Sequence, residues 1–446
     1  MKKCFAIFSM ALTFSLGVMA QSSTNVPFSQ YGLSMNTLPV STPLAESMGG
    51  VVFSRAGSNF VNPFNPASYA SIQPESFVFD IAMSLQSSRL NEGGQQYKDF
   101  AGTLSSITLA FPITSWWKTS AGLLPYSKTE YRTVMTQPIA GTTQNVKTIY
   151  DGTGGISQFY WGNAFNVWNG GEGKPSLQAG FNLNYLYGSV ARAITYDFVA
   201  SDTSFFQDTR RQQETRVSNI TFDLGLLYRQ PLGEKYTLSV GLTCGVPQSL
   251  KVDDKALIYT FVTYGSSEYT LDTIFPARGN NSEYESTLRQ PLSIGLGLSL
   301  ERNQRWMVAL DAAYSPYSGM KYEEGVETPV FGNSGICYAD NYRIAFGGGW
   351  IGNPTATRYI GRMGLTGGVH YEKGKLALAL ASGDWTLDEW GVSLGITFPM
   401  RKGRSQLVVT GGYSSFGSND LLRNDVLSVG LALSSNERWF VKRKYN

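Results

Sequence analysis

The side chains best suited to chemistry are few, and their spacing argues against an enzyme. The chain has a single histidine, His370, and three cysteines, Cys4, Cys244 and Cys337. A hydrolytic site needs a nucleophile, a base and an orienting group brought together. By alternation with Met363, Leu365, Val369 and Tyr371, His370 falls on the opposite strand face, beside Gly364, Thr366 and Gly368, and no such trio surrounds it. One histidine and two distant cysteines do not supply a zinc ligand set. The run Gly347-Gly348-Gly349-Trp350-Ile351-Gly352 has the spacing of a dinucleotide-binding turn. It closes a strand pattern with no helix after it, so it reads as glycine on a sheet. The expectation is a non-enzymatic protein with no cofactor and no metal.

The elements that would carry these residues are strands. Phe77, Phe79, Ile81, Met83 and Leu85 alternate with small or polar residues, Val78 excepted, and Leu292, Ile294, Leu296, Leu298 and Leu300 repeat the pattern. Such alternation puts one apolar and one polar face on each strand. Segments of this kind fall at about 76–87, 103–113, 118–131, 155–168, 176–190, 217–230, 235–250, 287–301, 305–316, 341–351, 360–371, 388–399, 405–415 and 425–436. Short turns alternate with long polar connections between them. Charges within the segments mostly take the polar parity, as at Asp80, Asp223, Arg289, Asp311, Arg343 and Arg362. Charged residues make up only 15% of the chain against 13% aromatic, with 48 glycines, where soluble domains carry about 25% charge. An all-β transmembrane antiparallel barrel of about fourteen strands fits these features. A soluble sandwich or propeller shares the alternation but not the charge-free apolar faces. The net charge of +3 implies no nucleic acid or other polyanion as partner.

The chain opens like an exported protein. Lys2 and Lys3 precede an apolar run from Phe5 to Leu16, and Val18-Met19-Ala20 supplies a cleavage site, so residues 1–20 read as a signal peptide. Cleavage would leave Cys244 and Cys337, which an oxidising compartment permits to pair and nothing in the sequence requires. Residues 21–75 contain prolines and turn formers together with Phe53, Phe60, Phe64 and Tyr69. Proline-rich sequence is no central strand, yet these aromatics need cover. The expectation is an N-terminal hatch that plugs the lumen, followed by a barrel over 76–446. An even strand count would leave both termini on the periplasmic side of a Gram-negative outer membrane.

Ser47-Met48-Gly49-Gly50-Val51-Val52-Phe53, followed by Asn65-Pro66-Ala67 just before the first strand, resembles the hatch of the FadL/TodX family. Leu183-Asn184-Tyr185-Leu186-Tyr187-Gly188 and Arg305-Trp306-Met307-Val308-Ala309-Leu310-Asp311 are similar to strand patterns of that family. The resemblance covers nearly the whole mature chain, through short motifs. One departure lies at the end, where Trp439-Phe440 is followed by a basic tail.

The resemblance implies a fourteen-stranded outer-membrane transporter of hydrophobic compounds, either fatty acid-like or aromatic. It implies a substrate path past the hatch, where an apolar pocket is expected near Phe64, Asn65, Pro66 and Ala67. It also implies lateral release by the third strand, for which Pro125 and Tyr126 are the candidates, since proline removes a ladder hydrogen bond. The partners expected are outer-membrane lipid and a small hydrophobic ligand. An alternative reading is a FadL-like interaction protein, a shuttle or anchor in protein secretion. A secreted or periplasmic protein would then be its partner, meeting the loop from Lys251 to Ser286 with Tyr259, Phe261, Tyr264 and Tyr269.

Overall fold

The computed structural model describes residues 42–438, apart from 93–94, 140–143, 172, 199–206, 265–266, 276–281, 303–304, 321, 324–335, 354–355, 375, 381–382, 401–403 and 418–421. The expected signal peptide, the start of the expected hatch and the basic tail lie outside the described residues.

Fourteen antiparallel strands close on themselves. They are β1 (Ser76–Glu92), β2 (Gln95–Pro112), β3 (Trp117–Pro138), β4 (Asn145–Asn169), β5 (Ser176–Phe198) and β6 (Asp208–Leu232). β7 runs as Tyr236–Gly245 and resumes as Gln248–Tyr264, and β8 runs as Glu283–Gln290 and resumes as Ser293–Arg302. They are followed by β9 (Trp306–Ser315), β10 (Asn341–Trp350), β11 (Gly364–Lys373), β12 (Glu389–Met400), β13 (Ser405–Gly417) and β14 (Leu422–Arg438). The seam is closed by β14 against β1, from Ser76 opposite Arg438 to Glu92 opposite Leu422. Closure joins the first strand to the last, which a spanning sheet requires because the bilayer core offers no hydrogen-bond partner for a free edge.

The sequence alternation sets which side faces out. Leu224 and Leu226 of β6, Leu296 and Leu298 of β8, Ile344 and Phe346 of β10 and Leu394 of β12 form an exposed apolar band. Asp80, Asp311 and Arg343 lie on the buried inner face. Two corrections arise. Tyr359–Arg362 is a short helix in the turn between β10 and β11, not strand. The Asn353 N–H donates to the Gly361 carbonyl across that turn, at 2.9 Å. Arg362 therefore belongs to no strand, and β11 begins at Gly364.

Arg289 also departs from expectation, and its side chain is 60% exposed. The cause is local. β7 is interrupted at Val246-Pro247 and β8 at Pro291-Leu292, where proline cannot supply the ladder N–H. Each interruption flips the parity of the strand. Ser239 and Gly241 point inward before the break in β7, whereas Leu250 and Val252 do so after it. In β8, Ser286 and Leu288 are buried before the break and Gly295 and Gly297 after it. Leu250, Val252 and Leu288 thereby join Ile156, Leu186 and Val217 in an apolar patch inside the barrel, with Tyr126 and Met320 packed on it. Lys251 and Glu285 are turned outward, where they pair at 2.9 Å. In a Cys244→Ser/Cys337→Ser background, single cysteines at 251 and 289 should react with a membrane-impermeant maleimide on intact cells. Cysteines at 250 and 288 should stay unlabelled, and labelling of both sets would contradict the flip.

Candidate functional site: the lumen and its wall

Residues 42–75 lie inside the barrel and run along its wall from the last strands back to the early ones. Thr42 caps a short helix, α1 (Pro43–Glu46), through its side-chain oxygen. Gly49 and Gly50 then turn with φ of 69° and 79°, a conformation that glycine adopts without a Cβ penalty. Beneath this path the wall is floored with glycine. Pro43 sits over Gly430 of β14, Glu46 over Gly412 of β13, Ser47 over Gly395 of β12, and Met48 over Gly368 of β11 and Gly347 of β10. Phe53 and Ser54 sit over Gly297 of β8 and Gly241 of β7. Asn65 and Pro66 sit over Gly225 of β6, Pro66 and Ala67 over Gly180 of β5, and Tyr69 over Gly162 of β4. A methyl group at most of these glycines would overlap the segment's own atoms, and at Gly241 it would overlap the Phe53 carbonyl.

An irregular buried backbone must still satisfy its polar groups, and inward side chains of the wall do so. The Asp311 carboxylate accepts from the N–H of Val52 at 2.6 Å and of Phe53 at 2.8 Å. Asp80 accepts from Val61 N–H at 2.6 Å. Arg343 donates to the carbonyls of Gly50 and Gly49, at 3.1 and 3.4 Å. Ser393 accepts from Gly49 N–H and donates to the Glu46 carbonyl. Asn182 donates to the Pro63 carbonyl at 2.9 Å and accepts from the Tyr69 hydroxyl at 3.0 Å. Packing adds to this where Tyr69 stacks on Tyr160 at a centroid distance of 6.3 Å. Val61, Ile72, Val78, Ala110 and Leu124 share the surrounding cluster.

The Asn-Pro-Ala motif now has a physical reading. Asn65 caps the 3-10 turn Pro66–Ser71 by accepting from Ala67 N–H at 3.1 Å. Its amide donates to the Phe53 carbonyl at 2.6 Å and to the Leu226 carbonyl of β6 at 3.2 Å. Pro66 starts the turn, where its missing N–H costs nothing. Ala67 is fully buried, and its backbone packs against Gly180 of β5. These residues are packed against the wall rather than around an open space.

The cavity lies elsewhere, on the loop side of the segment, and has a volume of about 630 Å³. Its floor is Glu46, Gly49, Gly50 and Phe53, and Phe64 to Ala67 do not line it. Around it stand Pro125, Ser127, Lys128 and Glu130 of β3, Ile156 of β4, Arg343 of β10, His370 and Glu372 of β11, and Glu389 of β12. This cavity lies towards the loops from Phe64 to Ala67, and both charged and apolar side chains line it. Glu372 stands opposite Arg343 and opposite Glu389 in the ladders. His370 Nε2 lies 3.6 Å from Glu389 Oε1. Glu46 accepts from the hydroxyls of Ser428 and Thr410. Glu46, Glu372 and Glu389 went unnoticed in the sequence. The inward parity of Glu372 and Glu389 was the available signal, and their sequence separation from Glu46 hid the proximity of the three. Cys244 is a free thiol.

The wall changes beside this cavity. The β2–β3 ladder runs from Pro112 opposite Lys118 to Ile107 opposite Leu123, and among the described residues it goes no further. From Leu124 to Pro138, β3 pairs with β4 alone, and its register slips between Pro125 and Ser127 so that Tyr126 is the extra residue. Thr103 of β2 and Pro125 of β3 both line the cavity, one on each side of the unpaired stretch.

Two substitutions test this description. Gly241→Ala should lower stability by about 1–3 kcal/mol through overpacking, read by denaturant midpoint. Gly411→Ala, where an added methyl meets nothing within 4 Å, should leave the midpoint unchanged. Asp311→Ala should cost about 1–3 kcal/mol because two buried N–H groups lose their acceptor. It should also open residues 42–75 to protease, and an unchanged digestion pattern would count against the anchoring role.

Comparison places the fold and the family. No curated protein matches the chain. Among solved structures, a FadL homologue of Pseudomonas aeruginosa aligns with a TM-score of 0.55 at 13% identity, over 90% of this chain and 99% of that one. The CymD monoaromatic hydrocarbon channel aligns with a TM-score of 0.54 at 14% identity, over 89% and 97%. The Ralstonia pickettii toluene transporter TbuX aligns with a TM-score of 0.53 at 12% identity, over 90% and 99%. At these identities the likeness establishes the shared outer-membrane barrel fold, as the FadL/TodX resemblance implied. The sequence profile of the BamG family spans residues 1–446, and the chain belongs to that family.

Proposed function

We propose that the protein is an outer-membrane channel for passive uptake of small hydrophobic or amphiphilic compounds, released sideways through the barrel wall. The observation that carries this reading is the junction of three features. A cavity is floored by the N-terminal segment, it borders β2 and β3, and it does so where their ladder ends at Leu123. A floor held to the wall by Asp311, Asn65 and Arg343 favours an exit past Pro125 and Tyr126 over one through the floor. The neighbouring folds described as a monoaromatic hydrocarbon channel and a toluene transporter are consistent with such cargo. In this reading residues 21–75 are the hatch, and the short-turn end with both termini faces the periplasm.

A second reading, a docking protein for a secreted or periplasmic partner, has one observation in its favour. The strand Ser267–Ile274 pairs with the end of β7 and is exposed along its length, with Tyr269, Leu271 and Ile274 uncovered. Co-purification of a stable partner that is lost on Tyr269→Ser/Leu271→Ser would favour it.

For the channel, a variant with Tyr126 deleted and Pro125→Val removes the bulge and permits the ladder to extend. Uptake of a labelled hydrophobe by cells should fall to the level of a strain lacking the gene, with the barrel still heat-modifiable on gels. A folded variant with unchanged uptake would sink lateral release.

A further inference from the structure

We infer that the outward row Tyr236, Arg302 and Trp306 at the short-turn end binds the phosphate head of an anionic phospholipid. The inference rests on the membrane-spanning fold and on the short-turn end facing the periplasm, and it is independent of the cargo. The three residues stand side by side. Arg302 lies opposite Tyr236 in one ladder and opposite Trp306 in the next, and Trp350 of β10 continues the row. They share the parity of Leu238, Leu300 and Val308, so all point out of the barrel. The Arg302 guanidinium lies over the Tyr236 ring, 5.9 Å from its centroid. The Tyr236 and Trp306 rings meet edge to face at 6.1 Å. A guanidinium held by its face leaves its N–H edges for paired oxygens. The turn that carries it is tight: Arg305 N–H donates to the Arg302 carbonyl at 2.7 Å, and Ile351 N–H donates to the Arg305 carbonyl at 2.8 Å. Among the described residues, no carboxylate is within ion-pair distance of Arg302 or Arg305, and Glu301 takes the inward parity.

Position and sign set the ligand class. Trp306 and Trp350 close the apolar band at its turn end, as Tyr314 and Tyr342 close it at its loop end. Aromatic rows of this kind sit at the level of lipid heads. The two rows differ in charge. At the loop end, tyrosine hydroxyls donate to carboxylates, Tyr314 to Asp340 at 3.0 Å and Tyr371 to Asp388 at 2.6 Å. At the turn end, the β6–β7, β8–β9 and β10–β11 connections carry Lys235, Arg302, Arg305, Arg358 and Arg362 against Glu234 and Glu301. An outward arginine at the edge of an apolar band fits a molecule with both an anion and hydrocarbon chains. Its phosphate would meet Arg302, and its chains would run along Leu300 and Val308. A soluble acidic protein has nothing to cover those apolar side chains. The cationic turns favour a head of net negative charge over a zwitterion, whose ammonium they would repel.

The test uses the chain from Gln21 onward, purified and delipidated in dodecyl maltoside. Native mass spectrometry reads binding of phosphatidylglycerol, phosphatidylcholine and chain-free glycerol phosphate. The variants are Arg302→Gln, Arg302→Lys and Lys174→Gln, the last an exposed cation of the β4–β5 turn. Heat-modifiability on gels confirms folding, and Lys235→Gln/Arg305→Gln serves if Arg302→Gln does not fold. Phosphatidylglycerol should bind wild type about tenfold tighter than phosphatidylcholine, as expected for one added close charge pair. The preference should vanish in Arg302→Gln and fall partway in Arg302→Lys, which keeps the charge but not the planar fork. It should persist in Lys174→Gln. Equal binding of the two lipids by wild type, or an undiminished preference in folded Arg302→Gln, overturns the inference. An equal loss in Lys174→Gln overturns it as well, since general charge would then suffice. Glycerol phosphate binding as tightly as the lipid, or displacement of the lipid by polyglutamate, assigns the surface to a soluble anion and also overturns it. None of these outcomes bears on hydrophobe uptake, so the channel reading stands or falls separately.

Discussion

The Asp311 carboxylate, accepting from two successive backbone N–H groups of the N-terminal segment, is the contact on which the interior is organised. An irregular chain inside a barrel carries polar groups that neither lipid nor bulk water will satisfy, and leaving them unmade costs more than making them gains. Asp311 fixes the bend at Val52 and Phe53. Arg343 holds the carbonyls just before it, and Asn65 returns the chain to Phe53 from the far side. With those points set, the segment becomes a floor, and the cavity is the space left between that floor and the loops.

Proline shapes the upper wall in two ways. In β7 and β8 it reverses which residues face inward, converting a stretch that would have pointed charges into the lumen into an apolar patch. In β3 it ends regular pairing and introduces an extra residue. Both effects follow from the missing N–H, and both act at the level of the cavity. One side of the lumen is therefore apolar and bordered by an unpaired stretch of wall, while β10 to β12 carry the ionised groups.

The fourteen strands were legible because alternation is a local signal repeated in every segment. The motif at Asn65 was legible because cap, proline and small residue stand side by side. The failures have physical causes as well. Arg289 was misplaced since parity counting assumes an unbroken strand, and Pro291 breaks it. The glycine floor was invisible because an inward glycine on one strand looks like any other. Only the closed barrel brings Gly241 and Gly412 to one path. The cluster of Glu46, Glu372 and Glu389 was hidden for the same reason: its members meet only across the assembled lumen. Phe64 was given a place in the substrate path because an aromatic in a hatch suggests a pocket; the loop-side cavity is lined by Phe53 and not by Phe64.

The course of the N-terminal segment also constrains the order in which the molecule can be built. Glu46 is held by Ser428, a separation of 382 positions, and Pro43 rests on Gly430 of the final strand. Contacts so distant in the chain form late and slow folding. The belt formed by residues 42–75 cannot be fastened until the last strand is present. That same strand must pair with β1 to close the wall. Sealing the cylinder and seating its lining are therefore one event, and a chain truncated before β14 would forfeit both.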